Sequence, residues 1–199
     1  MKKILFIIAL TILAMAAFAE SVAVIDMDVI SKSEYITNAM KSLESQAIAI
    51  QKELQIRQEN RFLGENEINE LLNLVNANGD KDKIKAFQDT HQKRYDELQL
   101  LNQTKELTDE QKARMTELNN LVKKSGENFE NRQKVLTESL HEADAKNSEI
   151  IMNALKAACE KVAKSKKIDI VIDKIDVYYG GVDITKDVIN ALPKPEKKK

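Results

Sequence analysis

The sequence predicts a mostly α protein with a small β head, in which a long antiparallel helical hairpin of coiled-coil type carries most of the chain. Three observations carry that expectation. Both prolines, Pro193 and Pro195, lie near the C-terminus, and the body is rich in Glu, Lys, Gln, Leu and Ala with only 5 glycines, a composition suited to long helices. Apolar residues recur in alternating steps of four and three along two long stretches. Short runs of β character flank those stretches at both ends.

At the N-terminus, Lys2 and Lys3 precede an apolar run from Ile4 to Met15 and the small-residue site Ala17-Phe18-Ala19. This is the layout of a secretory signal peptide over residues 1–19, cleaved before Glu20. The apolar run is shorter than the roughly 20 residues that span a bilayer. The mature protein is therefore expected to be exported and soluble.

The first long stripe reads Ile36, Met40, Leu43, Ala47, Ile50 and Leu54, then Ile68, Leu71 and Val75. It predicts one helix from about Val29 to Asn76, some 70 Å at about 1.5 Å per residue. Asn76-Ala77-Asn78-Gly79-Asp80 is a turn signal, followed by an extra tip helix over about 80–105 with Ile84, Phe87, Leu98 and Leu101 on one face. The second stripe, from Leu118 to Val162, lies on a helix from Thr108 to Ser165. Thr108 with Gln111 forms a capping-box start, and Lys161, Lys164, Lys166 and Lys167 put positive charge at its C-terminal end.

Pairing the two stripes so that residue numbers sum to about 190 sets apolar against apolar: Leu72 with Leu118, Ile68 with Val122, Leu54 with Leu136. The same register creates a weak zone. Arg57 falls near Arg132, Arg61 near Phe129, and Gly64 level with Gly126. Gly64 and Gly126 are accordingly the expected arm hinge, since glycine in a helix interior costs about 1 kcal/mol relative to alanine.

Three short strands are expected in the head: Val22 to Met27, the alternating Ile168, Ile170 and Ile172, and Val177 to Tyr179. A final helix capped by Asp183 or Thr185 runs to Leu192. So small a sheet does not close on itself, and a second or third copy of the chain would supply what is missing. The expected division is thus a signal peptide (1–19), a β-rich oligomerisation head (20–28 and 166–192), a helical arm (29–165) and a charged tail (193–199). The head residues singled out are Val22, Val24, Ile25, Ile168, Ile170, Ile172, Tyr178 and Tyr179.

Composition excludes several functions. Without Lys2 and Lys3 the chain has 29 basic and 32 acidic residues, a charge of −3, and no basic patch for nucleic acid. The tip region from Asp80 to Glu110 holds six basic and eight acidic residues, so charge gives no indication of contact with a membrane surface. Cys159 is the only cysteine, which rules out an intrachain disulfide. His91 and His141 stand in helices without metal-ligand spacing, and Asp169, Asp173, Asp176, Asp183 and Asp187 fit no calcium loop. No nucleotide-binding loop or catalytic constellation is present, so no cofactor, no metal and no enzymatic activity are expected.

Taken together, Val22-Ala23-Val24-Ile25-Asp26-Met27, the helical middle, Lys167 to Lys174, Val177 to Gly181 and Asp183 to Ile189 resemble the OmpH/Skp family of periplasmic chaperones. The resemblance implies a homotrimer whose small β-barrel head is completed by trimerisation, with helical arms around a cavity. It also implies ATP-independent holding of unfolded outer-membrane β-barrel proteins in the periplasm before insertion. Two departures stand out: a longer middle, and a pI of about 6.2 where the best-known member is strongly basic. Without the terminal motifs, a secreted structural or adaptor coiled coil tethering envelope components would explain the heptads equally well.

Overall fold

The computed structural model describes residues 21–194; the expected signal peptide and residues 195–199 of the tail lie outside them. In chain order the elements are β1 (Val22–Ile25), α1 (Met27–Ile30), α2 (Glu34–Glu59), α3 (Glu65–Asn76), α4 (Lys81–Gln103) and α5 (Asp109–Lys166). There follow β2 (Ile170–Asp173), a 3-10 turn (Lys174–Asp176), β3 (Val182–Asp183) and α6 (Thr185–Ala191). The described chain divides into two compact units: one holds residues 21–42 and 145–194, and the other is Leu43–Asp144. Among the described residues no helix is long and apolar enough to cross a membrane.

In the first unit three strands form a parallel sheet in the order β2-β1-β3. The earliest strand is central: Val22 pairs with Ile170, Val24 with Ile172, and Ala23 with both Val171 and Val182. Side chains alternate across a strand, so Ala23 and Ile25 face one way and Val22 and Val24 the other. The Ala23 face is closed by helices, packing with Ile30, Leu155, Ala158, Val162, Ile184 and Val188 in one core. Polar ties hold the ends. The Asp26 N–H donates to Thr185 Oγ1 at 2.9 Å while its carboxylate caps α1 by accepting from the Val29 N–H at 3.1 Å.

The third strand lies elsewhere than the sequence suggests. Val177 to Tyr179 is not a strand, and Val182–Asp183 takes that position in the sheet. The cause is local. Asp173 accepts from the Ile175 N–H at 3.3 Å and closes the 3-10 turn, and Gly180 and Gly181, at φ of 88° and 90°, swing the chain back to β1. A Cβ on Gly181 would come within 2.8 Å of Val24 Cγ1, so both the positive φ and the close approach require glycine there.

The single first helix is likewise corrected. It is interrupted at residues 31–33, where Ser31 Oγ donates to the Asp28 carbonyl at 2.9 Å, and at residues 60–64. At the second break Asn60 Nδ2 donates to the Ile56 carbonyl at 2.8 Å and the Leu63 N–H turns back to the Asn60 carbonyl at 3.0 Å. Serine and asparagine offer the backbone side-chain partners that compete with helix, which explains both stops.

The break re-sorts the packing of the second unit. Leu118 packs with Phe62, Leu98 and Leu101, whereas Leu72 packs with Leu63, Ile68 and Leu71, backed by Ile84 and Phe87. The expected Leu72–Leu118 layer is therefore replaced by two small cores that α4 helps to fill. The turn at residues 77–80 forms where expected, with Asn78 at φ 48° and the Gly79 N–H donating to the Leu74 carbonyl at 2.8 Å. The capping box also forms: the Thr108 N–H donates to Gln111 Oε1 at 2.9 Å, and the Gln111 N–H to Thr108 Oγ1 at 3.2 Å. Helix α5 runs without interruption for 58 residues.

Ile184 is completely buried beneath the sheet, so Ile184→Ala should lower stability by about 2–5 kcal/mol in urea unfolding. A loss under 1 kcal/mol would mean that this core is not the one that holds the two ends of the chain together.

Candidate functional site

The head residues chosen from the sequence separate into three groups. Ile25 is buried in the core, and Ile168 packs against it. Val22, Val24, Ile170 and Ile172 share the opposite face of the sheet; Val24 is covered, while Ile170 is 38% exposed. Tyr178 and Tyr179 stand fully exposed on the segment between β2 and β3. Ile175 and Val182 are exposed as well, at 85% and 61%. These last two were not singled out from the sequence, although each adjoins a residue type that begins a turn or a short edge strand.

Among the described residues the outer edges of β2 and β3 are unpaired, and each outer strand carries an exposed apolar side chain, Ile170 on β2 and Val182 on β3. Such edges invite pairing with another chain, and large apolar side chains exposed together mark an interaction surface. The neighbouring aspartates are engaged otherwise. Asp169 accepts from the Ser21 N–H at 2.9 Å, Asp187 pairs with Lys166 at 2.9 Å, and Asp183 accepts from the Thr185 N–H at 2.9 Å. The Thr185 hydrogen bonds hold the Asp183 carboxyl below the usual carboxylate range, aided by Lys174. Among the described residues no cluster of His, Cys, Asp or Glu could hold a metal ion. Cys159 is half-buried against the head core, and burial pushes its thiol pKa up, away from the reactive thiolate.

The weak zone of the arm is built differently from a loose seam. Arg57 is only 7% exposed and reaches three acceptors: Glu53 at 3.0 Å, Glu65 at 2.9 Å and Asn69 at 3.1 Å. Arg132 on α5 grips the same Glu53 carboxylate with two bonds, at 2.6 and 3.1 Å, and Asn128 donates to Glu65 at 3.0 Å. The two arginines therefore meet through a shared carboxylate. The i, i+4 spacing of Glu53 and Arg57 was the signal in the sequence that could have revealed it.

Gly64 and Gly126 occupy different kinds of position. Gly64 is the extended residue that opens α3, its N–H donating to Glu67 Oε2 at 2.7 Å. Gly126 lies within α5, with nothing inside 4 Å of where a Cβ would stand. The interior-helix penalty thus applies to Gly126 and not to Gly64.

Hydrogen bonding to Arg132, joined by Arg57, lowers the Glu53 pKa despite the opposing effect of burial. The resulting stability is present above the unfolded carboxylate's pKa and is lost as pH falls through the lower folded value. Glu53→Gln should cost about 1–3 kcal/mol at pH 7, and its deficit should shrink toward pH 3 as the wild-type carboxylate protonates. Urea titrations of both proteins at the two pH values check this; an equal deficit at both would discount the charge.

No curated protein matches the chain significantly. A family model does: the one described as outer membrane protein (OmpH-like) matches residues 21–192, nearly the whole of the described structure. The chain belongs to the OmpH (Skp-like) family, whose chaperones are non-enzymatic.

Proposed function

We propose that this protein is an ATP-independent periplasmic holdase that binds unfolded outer-membrane β-barrel proteins and keeps them from aggregating before insertion. Family membership supports the periplasmic chaperone role. The observation that carries the rest is the head sheet, three strands with two free edges and an exposed set comprising Ile170, Ile175, Tyr178, Tyr179 and Val182. In this reading two further copies of the chain cover those groups, completing a barrel and making a homotrimer. Three arms then surround a cavity, and the proposed flexing of each arm at Gly64 and Gly126 requires the bonds that hold the break beside Gly64 to open.

The chemistry of the client suits such a cavity. An unfolded barrel strand alternates apolar and polar side chains and aggregates through its edges. Helices α2 and α5 carry scattered half-exposed apolar residues, among them Met40, Ile48, Val135 and Met152, between charged ones. Each contact is weak, and many together gain from confinement. Release follows when the client folds in lipid, where burial of its apolar face outcompetes them.

The decisive assay dilutes a urea-unfolded β-barrel membrane protein into buffer with the mature chain and no nucleotide. Suppressed light scattering at a near-stoichiometric ratio is expected; a trimer that leaves aggregation unchanged would favour the tethering adaptor instead. Ile170→Asp should abolish suppression, because a charge buried without a partner costs several kcal/mol. Lys123→Ala, at an exposed arm position, should leave it intact.

A further inference from the structure

The break at residues 60–64 leaves backbone groups without helical partners, and side chains from the neighbouring helices bind them. The Phe62 N–H donates to His91 Nδ1 at 3.3 Å, and the Phe62 carbonyl accepts from Arg94 at 2.8 Å. Arg94 also binds both oxygens of Glu67, at 2.7 and 3.0 Å, and Glu67 in turn accepts the Gly64 N–H. The Phe62 ring is buried edge-on against the rings of His91 and Tyr95, with centroids at 5.6 and 5.7 Å. Two residues one turn apart on α4 thus hold the donor and the acceptor of a single peptide residue in the break.

An imidazole nitrogen accepts a hydrogen bond only while it carries no proton, so this geometry requires neutral His91 with its proton on Nε2. Protonation would set a second N–H against that of Phe62 and add a cation beside Arg94. We propose that His91, with Arg94 and Glu67, is a proton-sensitive clasp that fixes the break in the arm and holds α4 against it, opening as His91 becomes charged. The clasp lies wholly within the unit Leu43–Asp144 and would operate whatever the protein binds.

The surrounding charges leave His91 as the titrating member. Arg94 on its own helix and Glu67 on α3 are paired with each other, and Glu97 pairs with Arg114 of α5 one turn further along. What α5 adds around Phe62 is apolar: Met115, Leu118 and Val122. Burial acts to raise the Glu67 pKa, but Arg94 and the Gly64 N–H outweigh it and lower it overall, so Glu67 stays ionised near neutrality. Desolvation lowers the His91 pKa from its usual 6.5. The sign follows: the bond's contribution is complete above the unfolded histidine's pKa and is lost as pH falls toward the lower folded value.

The test is amide hydrogen exchange of Phe62 in the full mature protein between pH 7.5 and 5, corrected for the intrinsic rate. Protection should fall severalfold across that range as the bond's contribution is lost. In His91→Asn, where the amide oxygen replaces Nδ1 as a non-titrating acceptor, protection should stay level, while His141→Asn should follow the wild type. A level wild-type profile, or an unchanged fall in His91→Asn, would overturn the clasp. Ring nitrogen NMR of wild-type His91 gives a second reading independent of the variants: an unprotonated Nδ1 at pH 7.5 supports it, and an Nδ1–H tautomer refutes it.

Discussion

The whole architecture depends on one four-residue strand near the start of the chain acquiring two parallel partners from near its end. Val22 meets Ile170 and Ala23 meets Val182, so helices α1 to α5 together form the crossover between neighbouring strands. Closing so long a loop costs only logarithmically more than closing a short one, but it rewards the chain late in folding. The Ala23 and Ile25 face repays that closure by burying against α5 and α6. Nothing among the described residues does the same for the outer edges of β2 and β3, and that deficit underlies the proposed association of copies.

Charge has a structural role in the other unit. A buried guanidinium is tolerated only when its hydrogen-bonding capacity is met, and Arg57 finds Glu53, Glu65 and Asn69 around it. Such a node fixes which residues of α5 stand beside α2 and α3 more sharply than aliphatic packing, which tolerates sliding. The break just beyond it is also fully specified, by backbone bonds to His91, Arg94 and Glu67. What looks from composition like weak packing is therefore a polar joint with defined partners.

The long helices were legible in the sequence because periodicity and caps act locally. Thr108 and Gln111 mark the start of α5 to within one residue, and Asn78-Gly79-Asp80 marks the turn before α4. Asn60 and Gly64 give local signals for the interruption at residues 60–64, but the partners of the Phe62 backbone, His91 and Arg94, stand about 30 positions away on α4 and were not legible. Val177 to Tyr179 has strand composition, yet Asp173 and the two positive-φ glycines decide the path and leave pairing to Val182–Asp183. The alternation of Ile168, Ile170 and Ile172 predicts one shared apolar face, whereas Ile168 lies before β2 and packs into the core. Strand pairing separates Ile25, packed within the chain, from Ile170, and the path of the segment between β2 and β3 leaves the two tyrosines exposed.

In the proposed assembly the free edges and exposed apolar groups of this sheet are closed by further copies of the same chain. Native mass spectrometry of the purified mature protein at micromolar concentration tests it most directly. The expected result is a single dominant species of three chains that dissociates in Ile170→Asp. A stable monomer under the same conditions would contradict the shared head and, with it, the cavity on which the proposed holdase depends.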